Sequence, residues 1–142
     1  MYIHNKYQDP QTIRRIMSEM RSIAVVGLSS DYTKAGYYVP EYLKENGYRI
    51  IPVNPNLAEA LGEVAYPDLL SIPEPVDLVL IFRRSEAVPP FVDQAVQIGA
   101  KAVWMQLGIS HPDAADKARG AGLDVVMNAC MKVEHRRWQD GA

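Results

Sequence analysis

The chain contains one cysteine, Cys130, and no apolar run that approaches the roughly 20 residues of a membrane-spanning helix. A single cysteine excludes an internal disulfide and fits a reducing compartment. The first ten residues, MYIHNKYQDP, lack the apolar segment of a secretory signal peptide. From these absences we expect a cytoplasmic protein with no membrane partner.

The chain also lacks a large excess of charge of one sign. It has 15 Lys and Arg residues and 17 Asp and Glu residues, which gives a net charge of -2. Without an overall basic field we expect no nucleic-acid partner, and local groups must hold any anionic ligand. The length of 142 residues suits one domain with a packed core. We expect residues 1–142 to form that domain, with residues 1–8 flexible or packed at its edge.

The sequence signatures of several common catalysts are absent as well. The chain has no G-x-S-x-G elbow, no Walker loop and no His, Cys and Asp spacing typical of a zinc or calcium site. His4, His111 and His135 are scattered, and Cys130 is more typical of a buried, inert thiol than of a nucleophile. The sequence therefore predicts neither catalytic residues nor a metal site.

What the chain does contain is a repeated alternation of apolar and amphipathic segments. The predicted strands are residues 22–27, 48–53, 76–82, 102–106 and 123–127. The predicted helices begin at Asp9-Pro10, cover about residues 37–46, 85–98 and 111–121, and end with a tail helix over 130–139. The long connection over residues 56–75 has room for one short helical turn at Leu69, Leu70 and Ile72.

Glycines mark the ends of three of these helices. Gly47, Gly99 and Gly122 each stand between a predicted helix and the next strand, and glycine closes helices because it accepts the left-handed conformation. Strands that alternate with helices form parallel sheets covered on both faces. The pattern predicts an α/β Rossmann-like three-layer fold, with a five-stranded parallel sheet in the order 3-2-1-4-5 and helices on both faces.

The segment SIAVVGLSSD, which ends at Asp31, predicts a buried strand that opens at Gly27 into a polar turn. Such a turn brings backbone N–H groups close to a phosphate and indicates a nucleotide-like ligand. However, the segment lacks the second and third glycines of G-x-G-x-x-G. Asn54-Pro55 also stand where an acidic residue would hold the ribose after the second strand. An ordinary NAD-dependent dehydrogenase is therefore disfavoured.

Ligands of such sheets bind beyond the carboxyl ends of the strands, which we expect here at the switch between strands one and four. Ser29, Ser30 and nearby amides can donate to phosphate oxygens, while Lys34, Arg83 and Arg84 supply positive charge. The two serines fit a solvated turn equally well, and the two arginines also fit a surface pair beside a helix. The residues alone leave these alternatives open.

The same loops resemble those of the small single-domain CoA-binding proteins, which are similar to the CoA-binding domain of the succinyl-CoA synthetase alpha subunit. The similarity runs from about Thr12 to Trp138. It is carried by the segments IAVVGLSS, YVPEYLKENGYRIIPVNP, LGEVAYPDL, IPEPVDLVLIFRRSE, GAKAVWMQLGI and GLDVVMNACMKVEHRR. The resemblance implies that the chain binds coenzyme A or an acyl-CoA through the ADP moiety. The phosphorylated histidine of the synthetases lies in a second domain, so we expect no ligase chemistry here.

The resemblance also implies which residues form the CoA site. In the loop that wraps the diphosphate, the matching residues are Gly27, Ser29, Ser30, Asp31 and Tyr32. Those beside the adenosine are Val53, Asn54 and Pro55, and those that border the nucleotide after the third strand are Phe82, Arg83 and Arg84. The stretch near the pantetheine arm is Met105, Gln106 and Leu107. Leu28 and Lys34 of the first loop complete the predicted set.

Two other classes of function stay open at this point. The first is an enzyme, either an NAD(P)-binding oxidoreductase or an acyl-CoA enzyme with Cys130 as its nucleophile. The second is a protein-interaction module that keeps the fold without the ligand. This is favoured by Leu57, near a position where synthetases often carry lysine, and by Ala129, where small family members usually carry arginine. A homodimer through the N-terminal helix or the tail is compatible with the sequence.

Overall fold

A five-stranded parallel sheet forms the centre of the protein, and helices cover both of its faces. The computed structural model describes residues 6–141. In chain order the elements are α1 (Pro10–Glu19), β1 (Ser22–Val26), α2 (Ala35–Glu45), β2 (Arg49–Val53), β3 (Glu59–Ala60), β4 (Glu63–Val64), β5 (Leu78–Ile81), α3 (Val88–Gln97), β6 (Ala102–Met105), α4 (Pro112–Gly120), β7 (Asp124–Met127) and α5 (Met131–Gln139). The predicted α/β class, with its five parallel strands and two helical layers, is confirmed.

The predicted strand order was wrong. The sheet has the order β2-β1-β5-β6-β7, which is 2-1-3-4-5 when the five predicted strands are counted, rather than 3-2-1-4-5. The third predicted strand, β5, pairs with β1, so that Ala24 lies beside Val79. As a result the switch point lies between β1 and β5. β6, which was expected beside β1, is separated from it by β5.

The connection from β2 to β5 explains this order. It contains the β3–β4 hairpin and a short 3₁₀ turn, Leu69–Ser71, where the sequence predicted one. Leu69 is fully buried in the cluster on the face that α3 and α4 cover. A right-handed crossover on that face leads from β2 back over β1, because α2 occupies the opposite face. The next strand therefore adds beside β1 and not beyond β2.

Helix ends follow the capping residues that the sequence contains. The Asp9 carboxylate accepts a hydrogen bond from the Thr12 backbone N–H (3.1 Å), as expected of an N-cap. Gly47, Gly99 and Gly122 all adopt positive φ, at 95°, 76° and 94°. The predicted helix-end role of these glycines is therefore confirmed.

The start of the described chain packs against the edge of the sheet at β7. Tyr7 is buried, its carbonyl accepts a hydrogen bond from the Met127 N–H (2.9 Å), and its hydroxyl donates to Asp116. Residues 1–5, which include His4, lie outside the described residues. Over residues 6–141, no helix is long and apolar enough to cross a membrane.

A buried histidine fixes α5 to α2. His135 is only 2% exposed, and its Nδ1 lies 2.8 Å from the Tyr42 hydroxyl. The imidazole ring also packs edge-on against Tyr42 and Tyr48 and at a tilt against Trp138. Burial lowers the pKa of the His135 imidazole below its usual range, because the charged form would lose its water.

This burial predicts a loss of stability in mild acid. Below a pH of about 6.5 the unfolded chain protonates His135, whereas the native site takes up the proton only at lower pH. The unfolded state then holds more protons, so the free energy of unfolding falls as the pH is lowered through this window. Urea unfolding between about pH 5 and pH 7.5 should show a shallower decline for His135→Gln than for wild type. Equal slopes in the two proteins would contradict the prediction.

Candidate functional site

A cavity of about 660 Å³ opens at the carboxyl ends of β1, β2 and β5. This is the edge at which ligands bind in open parallel sheets. The loop after β1, the turn after β2 and the segment between β5 and α3 form its walls. The predicted site residues that line it are Gly27, Ser29, Ser30, Lys34, Val53, Asn54, Pro55, Phe82 and Arg83.

Other predicted residues near these loops lie outside the cavity wall. Leu28 is fully buried in the core beneath α2. Asp31 and Tyr32 are exposed on the loop after β1, with Tyr32 75% exposed. The Arg84 side chain is 85% exposed and lies 3.5 Å from the Glu86 carboxylate. In this geometry the adjacent arginines differ, since Arg83 lines the cavity and Arg84 points to solvent.

The predicted stretch after β6 is also outside the cavity, because β5 stands between β1 and β6. Met105 is fully buried in the core, and Leu107 is 65% exposed. Gln106 is buried, and its side-chain carbonyl accepts a hydrogen bond from the Met131 backbone N–H (3.2 Å). The Gln106 side chain thus fixes the start of α5.

The predicted set leaves out six residues that line the cavity, namely Val26, Gly36, Asn56, Leu57, Pro67 and Phe91. Asn56 and Leu57 directly follow Pro55, so a slightly longer predicted turn would have included them. Pro67 reaches the cavity because its neighbour Tyr66 forms a parallel bridge with Val53. No local pattern in the sequence indicates that long-range pairing.

Gly27 allows the loop after β1 to pass very close to the end of β5. It has a φ of +82°, and its N–H donates to the Val53 carbonyl (2.9 Å). A Cβ added at this position would lie 2.8 Å from the Phe82 carbonyl oxygen. Any residue other than glycine is therefore disfavoured here, both by the positive φ and by the lack of room for a Cβ atom.

Gly36 plays a similar part in the first turn of α2. Its carbonyl accepts a hydrogen bond from the Ser29 N–H (3.0 Å), and a Cβ here would lie 3.3 Å from the Gly27 carbonyl oxygen. The third glycine of G-x-G-x-x-G serves the same purpose, which is close packing of the helix against the strand. In this chain the glycine comes later, after a longer loop.

Hydrogen bonds within the loop after β1 fix its shape. The Ser29 hydroxyl accepts from the Asp31 N–H (3.0 Å), and the Asp31 carboxylate accepts from both the hydroxyl (2.6 Å) and the N–H (3.0 Å) of Thr33. The hydrogen bond from the Thr33 hydroxyl, followed by that from its N–H, lowers the pKa of the Asp31 carboxyl. α2 then begins without a side-chain cap at Lys34. Its first N–H groups and positive dipole end face this loop.

The charges along the cavity have one sign. Lys34 and Arg83 line it, and no Asp or Glu does so within residues 6–141. The Arg83 guanidinium lies over the Phe91 ring, 5.4 Å from its centroid. In the described part of the chain, neither cation has a carboxylate oxygen within 4.0 Å. The cavity is therefore suited to an anion.

The Asn54 side chain joins two of the cavity walls. Its Nδ2 donates to the Leu28 carbonyl (3.0 Å), and its Oδ1 accepts from the Asn56 N–H (2.8 Å). Both ends of the amide are thus occupied by backbone groups. Asn54 sets the position of the loop after β1 relative to the turn after β2.

A carboxylate at position 54 cannot donate to the Leu28 carbonyl. We expect Asn54→Asp to lower the free energy of unfolding by about 1–3 kcal/mol, because this partly buried carbonyl loses its donor. Asn56→Asp adds the same charge to the same wall without removing a side-chain hydrogen bond. This variant should change the free energy of unfolding by no more than about 0.5 kcal/mol. Urea unfolding measures both, and equal effects would contradict the role given to Asn54.

Proteins of known sequence and structure resemble this chain over most of its length. The family model of the CoA binding domain matches residues 21–136. YneT of Bacillus subtilis (strain 168) is 37% identical over 123 residues, which cover 87% of this chain and 91% of YneT. The structure of a hypothetical protein from Pyrococcus horikoshii OT3 superimposes with a TM-score of 0.90 at 37% identity, covering 96% of this chain and 98% of that one.

A third relative is a much larger enzyme. Acetate–CoA ligase (ADP-forming) II of Archaeoglobus fulgidus is 38% identical over 94 residues, which cover 64% of this chain and 14% of the ligase. The chain therefore corresponds to one segment of that enzyme. The resemblance seen in the loops is confirmed, and the chain belongs to the CoA-binding domain family, homologous to the CoA-binding regions of ADP-forming acetate–CoA ligases.

Proposed function

We propose that this protein binds coenzyme A or an acyl-CoA in the cavity at the carboxyl ends of β1, β2 and β5, through the ADP moiety of the ligand. The observation that carries the proposal is the charge of the cavity wall. Lys34 and Arg83 line it, and no carboxylate does so among the residues that the structure describes. The membership of the CoA-binding domain family supports the choice of ligand.

The diphosphate is assigned to the loop after β1. Ser29 and Ser30 place hydroxyl groups there, and α2 directs its uncapped N-terminus toward the same place. Arg83 offers a planar fork that matches two phosphate oxygens, and Lys34 adds a mobile point charge. Both cations are exposed to solvent, so their attraction for the diphosphate should weaken as salt is added.

The adenosine is assigned to the side of the cavity that the turn after β2 forms. Val53, Pro55 and Leu57 line this side. Apolar side chains of this kind can pack against the flat face of an adenine ring. The volume of about 660 Å³ is within the range of cofactor pockets and leaves space for part of the pantetheine arm.

We propose binding without catalysis. Cys130 is half-buried at the start of α5 and is not among the residues that line the cavity. His135 is buried between α2 and α5. Within residues 6–141 the cavity offers no carboxylate for a nicotinamide ribose, which disfavours the oxidoreductase alternative. A cytoplasmic location and a homodimer stay predictions.

Isothermal titration of the purified protein with CoA, acetyl-CoA and NADH tests the proposal. We expect saturable binding of CoA and acetyl-CoA with micromolar dissociation constants, and no binding of NADH. The protein must first be shown to carry no copurified CoA. Absence of CoA binding by ligand-free protein would overturn the proposal, and saturable binding of NADH alone would favour the oxidoreductase.

A further inference from the structure

Neither of the two cations that line the cavity comes from the turn after β2. Lys34 precedes α2 after the β1 loop, and Arg83 follows β5. The turn after β2 contributes residues 53–57 and, through the bridge from Val53 to Tyr66, Pro67. Within the described chain, no charged side chain lines the cavity on this second side.

This second side is where the ribose hydroxyls should lie. In open parallel sheets that bind nucleotides, the phosphates lie at the helix after the first strand, and the ribose hydroxyls face the end of the second strand. A group attached to the ribose 3′ oxygen therefore points toward the turn after β2. Asn54 keeps one free amide N–H after its bond to Leu28, and Asn56 offers a second neutral amide, so neither side chain brings a positive charge to this group.

The cations at the end of α2 and the start of β2 do not supply the positive charge that this side of the cavity lacks. Arg49 is bound to Glu63 (2.7 Å) and Glu74 (2.9 Å), and Lys44 is bound to Glu63 (3.2 Å). Arg49 also stands at the first position of β2, roughly 13 Å along the strand from Val53. Both charges are neutralised and lie toward the opposite end of the strand.

We infer that this protein does not distinguish a ribose 3′-phosphate from a free 3′-hydroxyl, and that its ligand class includes dephospho-CoA as well as CoA. The inference rests on the proposed function and makes it more specific. A 3′-phosphate at the turn after β2 meets no cation, so it keeps its water and its counterions. The binding free energy then comes from the diphosphate, the adenine and the pantetheine arm, which both ligands share.

The first test compares CoA and dephospho-CoA by isothermal titration at pH 7.5 and low salt. We expect their dissociation constants to agree within about threefold, as for a phosphate that stays in high-dielectric solvent. A preference for CoA of tenfold or more would overturn the inference and leave the proposed function intact. Binding of neither ligand would overturn both.

The second test adds the missing cation. Leu57→Lys places an ammonium group on the wall beside the turn after β2. We expect the ratio of dephospho-CoA to CoA dissociation constants to rise about three- to tenfold, in line with one new charge-assisted contact. Leu57→Gln controls for the lost apolar contact, and its ratio should stay near that of wild type. If Leu57→Lys strengthens both ligands equally, the 3′-phosphate does not face this turn and the inference fails.

Discussion

Replacing Gly27 with alanine is expected to lower the free energy of unfolding by about 2–5 kcal/mol and to abolish CoA binding. Two costs add at this residue. A φ of +82° is unfavourable for any residue with a Cβ. The Cβ itself would also lie 2.8 Å from the Phe82 carbonyl oxygen, a backbone atom that cannot rotate away. Relief requires the loop after β1 to separate from the end of β5, and these two segments are the walls assigned to the diphosphate.

Gly99→Ala is the matched control for the conformational cost. Gly99 has a φ of +76°, and a Cβ there would meet nothing within 4 Å. This variant should lose only about 1–2 kcal/mol and keep its affinity for CoA. The difference between the two variants, measured by urea unfolding, isolates the contact with Phe82. Equal losses for both glycines would show that the close approach contributes nothing.

A milder variant is useful because Gly27→Ala is at risk of not folding. Gly36 has an ordinary helical conformation, and its Cβ would lie 3.3 Å from the Gly27 carbonyl oxygen. Gly36→Ala should fold and yet displace the same loop by a few tenths of an ångström. We expect weaker CoA binding from a protein that remains native by circular dichroism. Unchanged affinity would contradict the assignment of the diphosphate to this loop.

Removing the guanidinium of Arg83 is expected to weaken CoA binding about 10- to 100-fold. A hydrogen bond to a charged partner contributes about 1.5–3 kcal/mol, and Arg83 is one of the two cations that line the cavity. Its stacking on Phe91 holds the guanidinium at the wall, so little conformational freedom is lost on binding. Isothermal titration of Arg83→Ala with CoA measures the effect.

The neighbouring arginine supplies the control. Arg84 carries the same charge one residue later, but its side chain is 85% exposed and lies beside Glu86. Arg84→Ala should therefore change the CoA affinity by less than about twofold, as for a screened surface charge. Comparable losses in both variants would mean that overall positive charge, and not the wall of this cavity, attracts the ligand. Arg83→Lys should recover part of the affinity, since it restores the charge without the fork.

The sequence was informative wherever a local pattern decides the structure. Apolar runs located all five strands of the sheet, and the glycines at 47, 99 and 122 marked the helix ends. The polar turn after Gly27 does lie at the carboxyl edge, on the wall of the cavity. These features depend on residues close together in the chain, and a single sequence contains that information.

Features that depend on distant residues were the ones missed. The strand order follows from the face on which the β2–β5 connection packs, and the burial of Leu69 decides it. Neighbouring side chains in extended backbone point in opposite directions, so Arg83 lines the cavity and Arg84 faces solvent. The sequence alone does not distinguish the two arginines. Gly36 was overlooked because its spacing from Gly27 is longer than in the dinucleotide fingerprint, although it permits the same close packing.

Every residue that lines the cavity lies between Val26 and Phe91. The later elements, from β6 to α5, lengthen the sheet and bury its far side without forming any of that wall. Substitutions in these later elements therefore act on the protein through packing and stability, and they change none of the groups that face the cavity.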